Sequence, residues 1–305
     1  MAPIFALLAL GFGAVKMGWI EGAGVRGLVH FVFNFAIPAL LVRQLAHIEL
    51  PDDIEWAVLG AYYGASLVTY ALGMSVGRWV FGRPLRDQAI FGMSAAYSNL
   101  VMMGIPVVMT AFGPEASLPL LLILSFHSAV FLPLTVALIQ WQRVHGVSRL
   151  RQVGLGFVDV LKNPIILGII VGFAANFSGA VPSGALDRTL ELLEATAVPS
   201  ALFAMGASLA GYPLRGDVAP AVALGGLKLV VQPALVWLFA VPVLGLAGPW
   251  VTVAVVLGGM PTAVNGYLFG ARYEAAPQVA ARTVLLTTVA SLVTIGVLLA
   301  LVTGR

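Results

Sequence analysis

The sequence predicts an all-α membrane protein: ten transmembrane helices in two inverted five-helix repeats, with helices four and nine broken and crossing. Three observations lead there. First, 60% of the 305 residues are hydrophobic and only 10% are charged, against about a quarter charged in a soluble domain. Too few polar side chains exist to coat a particle in water. Second, the apolar residues fall in stretches close to the ~20 residues that cross a bilayer. Third, residues recur in order between the two halves. Pro3-Ile4 returns as Pro164-Ile165 and Gly11-Phe12 as Gly172-Phe173, both at an offset of 161, and Pro38 meets Pro199 at the same offset. Gly104-Ile105-Pro106 meets Gly259-Met260-Pro261 at an offset of 155. Five spans per half is an odd number, so the halves insert with opposite orientation.

The first expected span is 2–17. It lacks a basic leader and a cleavage site, so it reads as a helix of the mature chain rather than a signal peptide. Span two, 24–46, contains Pro38 and runs into an acidic loop with Glu49, Asp52, Asp53 and Glu55. Span three, 55–79, has Tyr62, Tyr63 and Tyr70, expected as packing or interface residues. Span four, 87–112, contains Ser98-Asn99-Leu-Val-Met-Met-Gly104-Ile105-Pro106, and span five, 116–142, holds His127. A basic, mildly amphipathic linker over 143–162 is expected to lie on the membrane surface. It separates the first repeat, 1–142, from the second, 163–305.

The second repeat follows the same order. Its spans are 163–179, 185–211 with Glu194 and Pro199, and 217–246 with Lys228 and Gln232. Span nine, 250–271, contains Pro261, Thr262 and Asn265, and span ten, 277–302, has Arg282, expected to snorkel. Loop charge sets the orientation. Placing Arg78, Arg83, Arg86, Arg143, Arg149, Arg151 and Lys162 in the cytoplasm brings Lys16, Arg26, Arg215 and Arg272 with them. Arg43, Arg188 and Arg305 are then the outer ones, and both termini face outward. An inner cell membrane is the expected location.

Proline removes a backbone donor and clashes with the carbonyl four residues before it. Irregular backbone at membrane depth survives only where protein or water covers it. Pro106 and Pro261 in corresponding spans therefore point to two interrupted helices meeting near the midplane. Their half-helix N-termini would offer positive dipole ends and free peptide groups to an anion. The expected binding residues are Asn99, Gly104, Ile105, Pro106, Pro261, Thr262 and Asn265. Lys228 lies about halfway through span eight, with Gln232 one turn on. It reads either as a counter-charge for a carboxylate or as a lysine paired internally with a carbonyl. His127 and Glu194 are candidate proton-relay groups; a neutral, hydrogen-bonded His127 is the structural alternative.

Several chemistries are excluded. The chain has no cysteine, so disulfides and thiolate sites are impossible. No zinc motif, nucleophile elbow or P-loop occurs, and no basic–aromatic run suggests nucleic acid. Neither an enzyme nor a cofactor or metal is expected. No aspartate lies within either interrupted span near its motif, so a two-carboxylate exchange site is not evident.

The segment SNLVMMGIPVVMTAFG resembles the Asn-x-x-x-x-Gly-Ile-Pro segment of the auxin efflux carrier family, and GGMPTAVNGYLFGARYEAAP resembles the C-terminal part of its bacterial, PIN-like members. FAIPALLVRQLA and AVPSALFAMGASLAG fit spans two and seven. The resemblance covers nearly the whole chain. It implies a fold like that of the bile-acid/sodium symporters, with spans one, two, six and seven as scaffold and spans three to five and eight to ten as a mobile elevator domain. It further implies a homodimer in membrane lipid, and a secondary carrier of small organic anions such as auxin, malonate or malate. A sodium-coupled symporter of bile-acid type is the nearest alternative. A membrane sensor that binds without moving its ligand, and an intramembrane hydrolase, are readings from other classes.

Overall fold

The computed structural model describes residues 2–47, 54–140, 164–211 and 218–304. The expected linker over 143–162 lies outside them, as do Glu49, Asp52, Asp53, Arg215 and Arg305. Among the described residues the chain is helical throughout and forms no strand; its one β element is an isolated bridge.

The first half supplies α1 (Ala2–Lys16), α2 (Gly22–His47), α3 (Trp56–Val80), α4 (Leu85–Ala96), α5 (Leu100–Phe112) and α6 (Ser117–Gln140). The second supplies α7 (Pro164–Ser178), α8 (Gly184–Leu209), α9 (Ala219–Val243), α10 (Pro249–Gly258), α11 (Asn265–Arg272) and α12 (Pro277–Thr303). Six of these, α2, α3, α6, α8, α9 and α12, are long and apolar enough to cross a membrane. The chain is a multi-pass membrane protein.

Both spans expected to break do so, but not both at their prolines. The first break is Tyr97–Asn99, between α4 and α5; α5 then runs straight through Pro106 to Phe112. The reason lies in the turn before it. Leu100–Gly104 is a π-turn, whose wider loop accommodates a missing N–H without ending the helix. The same device precedes Pro38, after the π-turn Val32–Ala36, and Pro233, after Leu227–Val231. In the second half the break covers 259–264, and Pro261 lies inside it.

The chain divides into two compact units. The first comprises 1–54, 101–125 and 158–211, and thus α1, α2, α5, α7, α8 and the start of α6. Lipid is as apolar as leucine, so these helices associate by close packing of small residues rather than by hydrophobic transfer. Gly206 of α8 presses on the Leu8 carbonyl of α1, and Gly11 of α1 presses on the Phe203 carbonyl of α8; a Cβ at either would collide with backbone. On the other pair, a Cβ on Gly172 of α7 would lie 2.7 Å from Leu45 Cβ of α2. Arg43 of α2 bridges two carboxylates of α8, reaching Asp187 at 2.8 Å and Glu194 at 2.9 Å.

The second unit comprises 55–100, 126–157 and 212–305, with α3, α4, α9 to α12 and the rest of α6. Its core gathers Tyr70, Met93, Phe131 and Ala263. Tyr70 is more than packing: its hydroxyl donates to the Ala89 carbonyl at 2.9 Å and lies 3.0 Å from Thr135 Oγ1, joining α3, α4 and α6. Arg282 of α12 is 7% exposed, so it does not snorkel to a surface.

Candidate functional site

The second unit brings the two helix breaks together. Asn99 N–H donates to the Pro261 carbonyl at 2.8 Å and Ala263 N–H donates to the Tyr97 carbonyl at 3.0 Å. These bonds form an antiparallel bridge centred on Ser98 and Thr262. The central residues point their own N–H groups outward to side chains of the helices that follow. Ser98 N–H donates to His127 Nε2 of α6 at 3.0 Å, and Thr262 N–H donates to Thr287 Oγ1 of α12 at 3.1 Å. Thr262 Oγ1 also donates to the Ser94 carbonyl at 2.7 Å. In lipid an unpaired peptide group costs several kcal/mol, and this mutual pairing removes that cost. The peptide groups expected to be free for a solute are largely committed to each other.

Lys228 and Gln232 act at the ends of the half-helices that lead into the breaks. Lys228 Nζ, fully buried, donates to the Gly258 carbonyl at 2.6 Å, at the last residue of α10. Gln232 Nε2 donates to the Ala96 carbonyl at 3.1 Å, at the last residue of α4, and to Ser66 Oγ of α3 at 2.9 Å. Helix C-termini leave carbonyls without intrahelical partners. Two residues one turn apart on α9 thus close the open ends of both half-helices. Of the two readings of Lys228, the geometry matches the lysine paired with a carbonyl.

The polar side chains left at the breaks form a small cluster. His127 Nε2 accepts from Ser98, so its ring proton sits on Nδ1. The ring stacks on Tyr97 at 4.4 Å between centroids and 26° between planes. Asn265 Nδ2 donates to the Tyr97 hydroxyl at 3.3 Å, and that hydroxyl lies 2.8 Å from Ser128 Oγ. Asn265 and Ser128 are half-buried, whereas Asn99 is 4% exposed. Asn265 is also the first residue of α11, at the positive end of its dipole. Ser94 Oγ, His127 Nδ1 and Gln232 Oε1 are buried and make no hydrogen bond. Tyr62, expected as packing, approaches the bridge too: its hydroxyl donates to Ser98 Oγ at 3.3 Å.

The structure therefore brings Asn99, Pro261, Thr262, Asn265, Lys228, Gln232 and His127 into one unit. Gly104, Ile105 and Pro106 belong to the other, buried in α5. So does Glu194, the second candidate proton-relay group: its two oxygens take Arg43 and Gln44, while Arg188 pairs with Glu191. His127 and Glu194 are thus each held by neighbours of their own, in different units. Sequence reasoning missed Ser94, Tyr97, Ser98, Ser128 and Thr287. One signal was available for Thr287: it follows His127 by 160 residues, near the offset of the other internal matches. Among the described residues no group of three His, Asp or Glu side chains is placed to hold a metal ion.

A family model described as membrane transport protein matches residues 1–152 and 150–299. The chain is 30% identical to a Rhizobium meliloti protein named as a candidate malonate transporter, over 98% of this chain and 94% of that protein. It is 23% identical to an uncharacterised transporter of Methanothermobacter thermautotrophicus over 96% of this chain and 94% of that one. It is also 26% identical to the mouse lysosomal cholesterol signaling protein, over 76% of this chain and 29% of that larger protein.

Proposed function

The chain belongs to the membrane transport protein family, the family of the auxin efflux carriers that its motifs resemble, and on that premise we propose that it is a secondary carrier of small organic anions. Dicarboxylates of the malonate type are the leading substrates, as the name of the Rhizobium meliloti relative suggests. The observation that carries the reading is the bridged pair of helix breaks, with the half-buried Asn265 amide and Ser128 hydroxyl beside it and the buried Tyr97 hydroxyl bonded between them. Such groups offer a carboxylate donors, and Asn265 adds the favourable dipole of the α11 N-terminus without a fixed counter-charge. Lys228 and Gln232 position the breaks rather than bind the anion. Thr262 and Asn99 hold the bridge.

The inverted repeat belongs to this proposal. Two kinds of correspondence support it: Gly11 and Gly172, matched in sequence, each sit at a close helix contact, and His127 and Thr287 each accept the central N–H of one break. Spans one, two, six and seven serve as scaffold in a homodimer. The spans bearing the breaks travel as an elevator, binding the anion from either side in turn. The basic loops lie in the cytoplasm of an inner-membrane carrier with both termini outside.

Uptake of labelled malonate into liposomes containing the purified chain tests the carrier reading. Saturable uptake is expected, with loss on Asn265→Ala while the folded protein remains. Saturable binding without flux would favour the sensor reading, which the name of the mouse relative brings forward. Flux that requires a sodium gradient would favour the symporter alternative.

A further inference from the structure

Away from the bridge, α9, α10 and α12 enclose a groove of about 760 Å³. No charged side chain lines it. Of its two hydroxyls, Thr252 Oγ1 donates to the Gly248 carbonyl at 3.3 Å and Thr294 Oγ1 is buried without a partner. A carboxylate entering there would lose its hydration and gain almost nothing in return, so the groove does not suit the carrier's anion. Its walls are aliphatic, and Val230, Val297 and Leu301 leave more than half of their surface exposed, with Trp237 at half. In a multi-pass membrane protein such exposed aliphatic surface suits hydrocarbon, and these residues form the open side of the groove. Along α9 it extends from Leu229 to Val241. At 1.5 Å per residue that is about 18 Å, close to the ~15 Å depth of one hydrocarbon leaflet.

We propose that this groove is a binding site for a single phospholipid acyl chain, and that the chain bears on the α10 break. Two wall residues make that second connection. Pro233 packs on Gly258, where a Cβ would lie 3.3 Å from Pro233 Cα, and Leu298 closes on Gly259 so tightly that a Cβ there would collide with it. Gly258 ends α10 and Gly259 begins the break that carries Pro261 and Thr262. Hydrocarbon filling the groove holds Pro233 and Leu298 against this hinge. This second half rests on the carrier reading; the site itself does not.

The test uses the full chain in vesicles of phosphatidylcholine with increasing fractions of the acyl-brominated lipid, whose bromine quenches tryptophan at contact. Of the six tryptophans, variants keep Trp237 alone or Trp79 alone, the latter lying exposed on α3. Trp237 is expected to quench at a lower brominated fraction than Trp79, and Ala234→Leu, which fills the groove, is expected to abolish the difference. Val297→Phe serves the same purpose should Ala234→Leu not fold. Identical curves for the two tryptophans, or a difference that survives filling, would overturn the site. Absent quenching at Trp237 would overturn it too, showing the groove covered by protein such as a second copy of this chain. Malonate uptake is expected to change with groove filling; uptake unchanged after quenching is lost would overturn the second half.

Discussion

A single side chain can be assigned to binding or to support by asking which of its hydrogen-bonding groups are already used. Lys228 and Gln232 lie on one face of α9, one turn apart, and that much the sequence made plain. What it did not contain was the ends of α4 and α10, brought to that face only by the fold. Lys228→Met leaves the Gly258 carbonyl buried and unpaired, a loss of about 1–3 kcal/mol. The expected outcome is a clearly lower melting temperature, read by thermal denaturation in detergent, with any weakening of malonate binding secondary to it. Asn265 is the opposite case. Its first contact is the Tyr97 hydroxyl at 3.3 Å, a long bond that a carboxylate can replace. A hydrogen bond to a charged group contributes about 1.5–3 kcal/mol, so Asn265→Ala should weaken malonate binding by roughly ten- to a hundredfold. Titration calorimetry reads this directly, and the melting temperature should move little. Tyr97 escaped notice because a tyrosine in an apolar run reads as packing until its hydroxyl partners are known.

At the level of whole helices, prolines and glycines gave good places and imperfect meanings. The sequence pairs Pro106 with Pro261, yet only Pro261 sits in a break. The difference is the π-turn at Leu100–Gly104, a choice between two ways of accommodating a missing donor that local sequence does not decide. Pro106 is buried in α5 but takes no part in the bridge, so Pro106→Ala is expected to cost stability in the ~0.5–3 kcal/mol range of ordinary single substitutions while leaving malonate flux per folded protein close to that of the unaltered chain. A flux assay in liposomes checks this. The repeated glycines were more transparent. Gly11 and Gly172, matched in the sequence, each let a helix approach its neighbour's backbone, and Gly206 answers Gly11 from the other side. Gly206→Ala drives a methyl group into the Leu8 carbonyl, so α1 must separate from α8. The cost should exceed that of an ordinary surface change several-fold, about 1–3 kcal/mol or more. A large fall in melting temperature is expected.

For the molecule as a whole, composition alone identified a multi-pass helical membrane protein, because lipid admits few solutions for a chain this apolar. The number of residues per break, their pairing across the two halves, and the grouping of α3, α4 and α9 to α12 with the end of α6 into one unit are tertiary facts. They depend on contacts more than a hundred residues apart in the chain, such as Ser98 with Thr262. Carrier function requires those breaks to form a site where an anion meets Asn265 and Tyr97. The most direct measurement is the position of bromine in crystals of the chain grown with bromomalonate, located by anomalous scattering. One peak is expected beside the Asn265 amide and the Tyr97 hydroxyl, absent from the Asn265→Ala crystals. A peak elsewhere in the molecule, or one unaffected by that substitution, would contradict it.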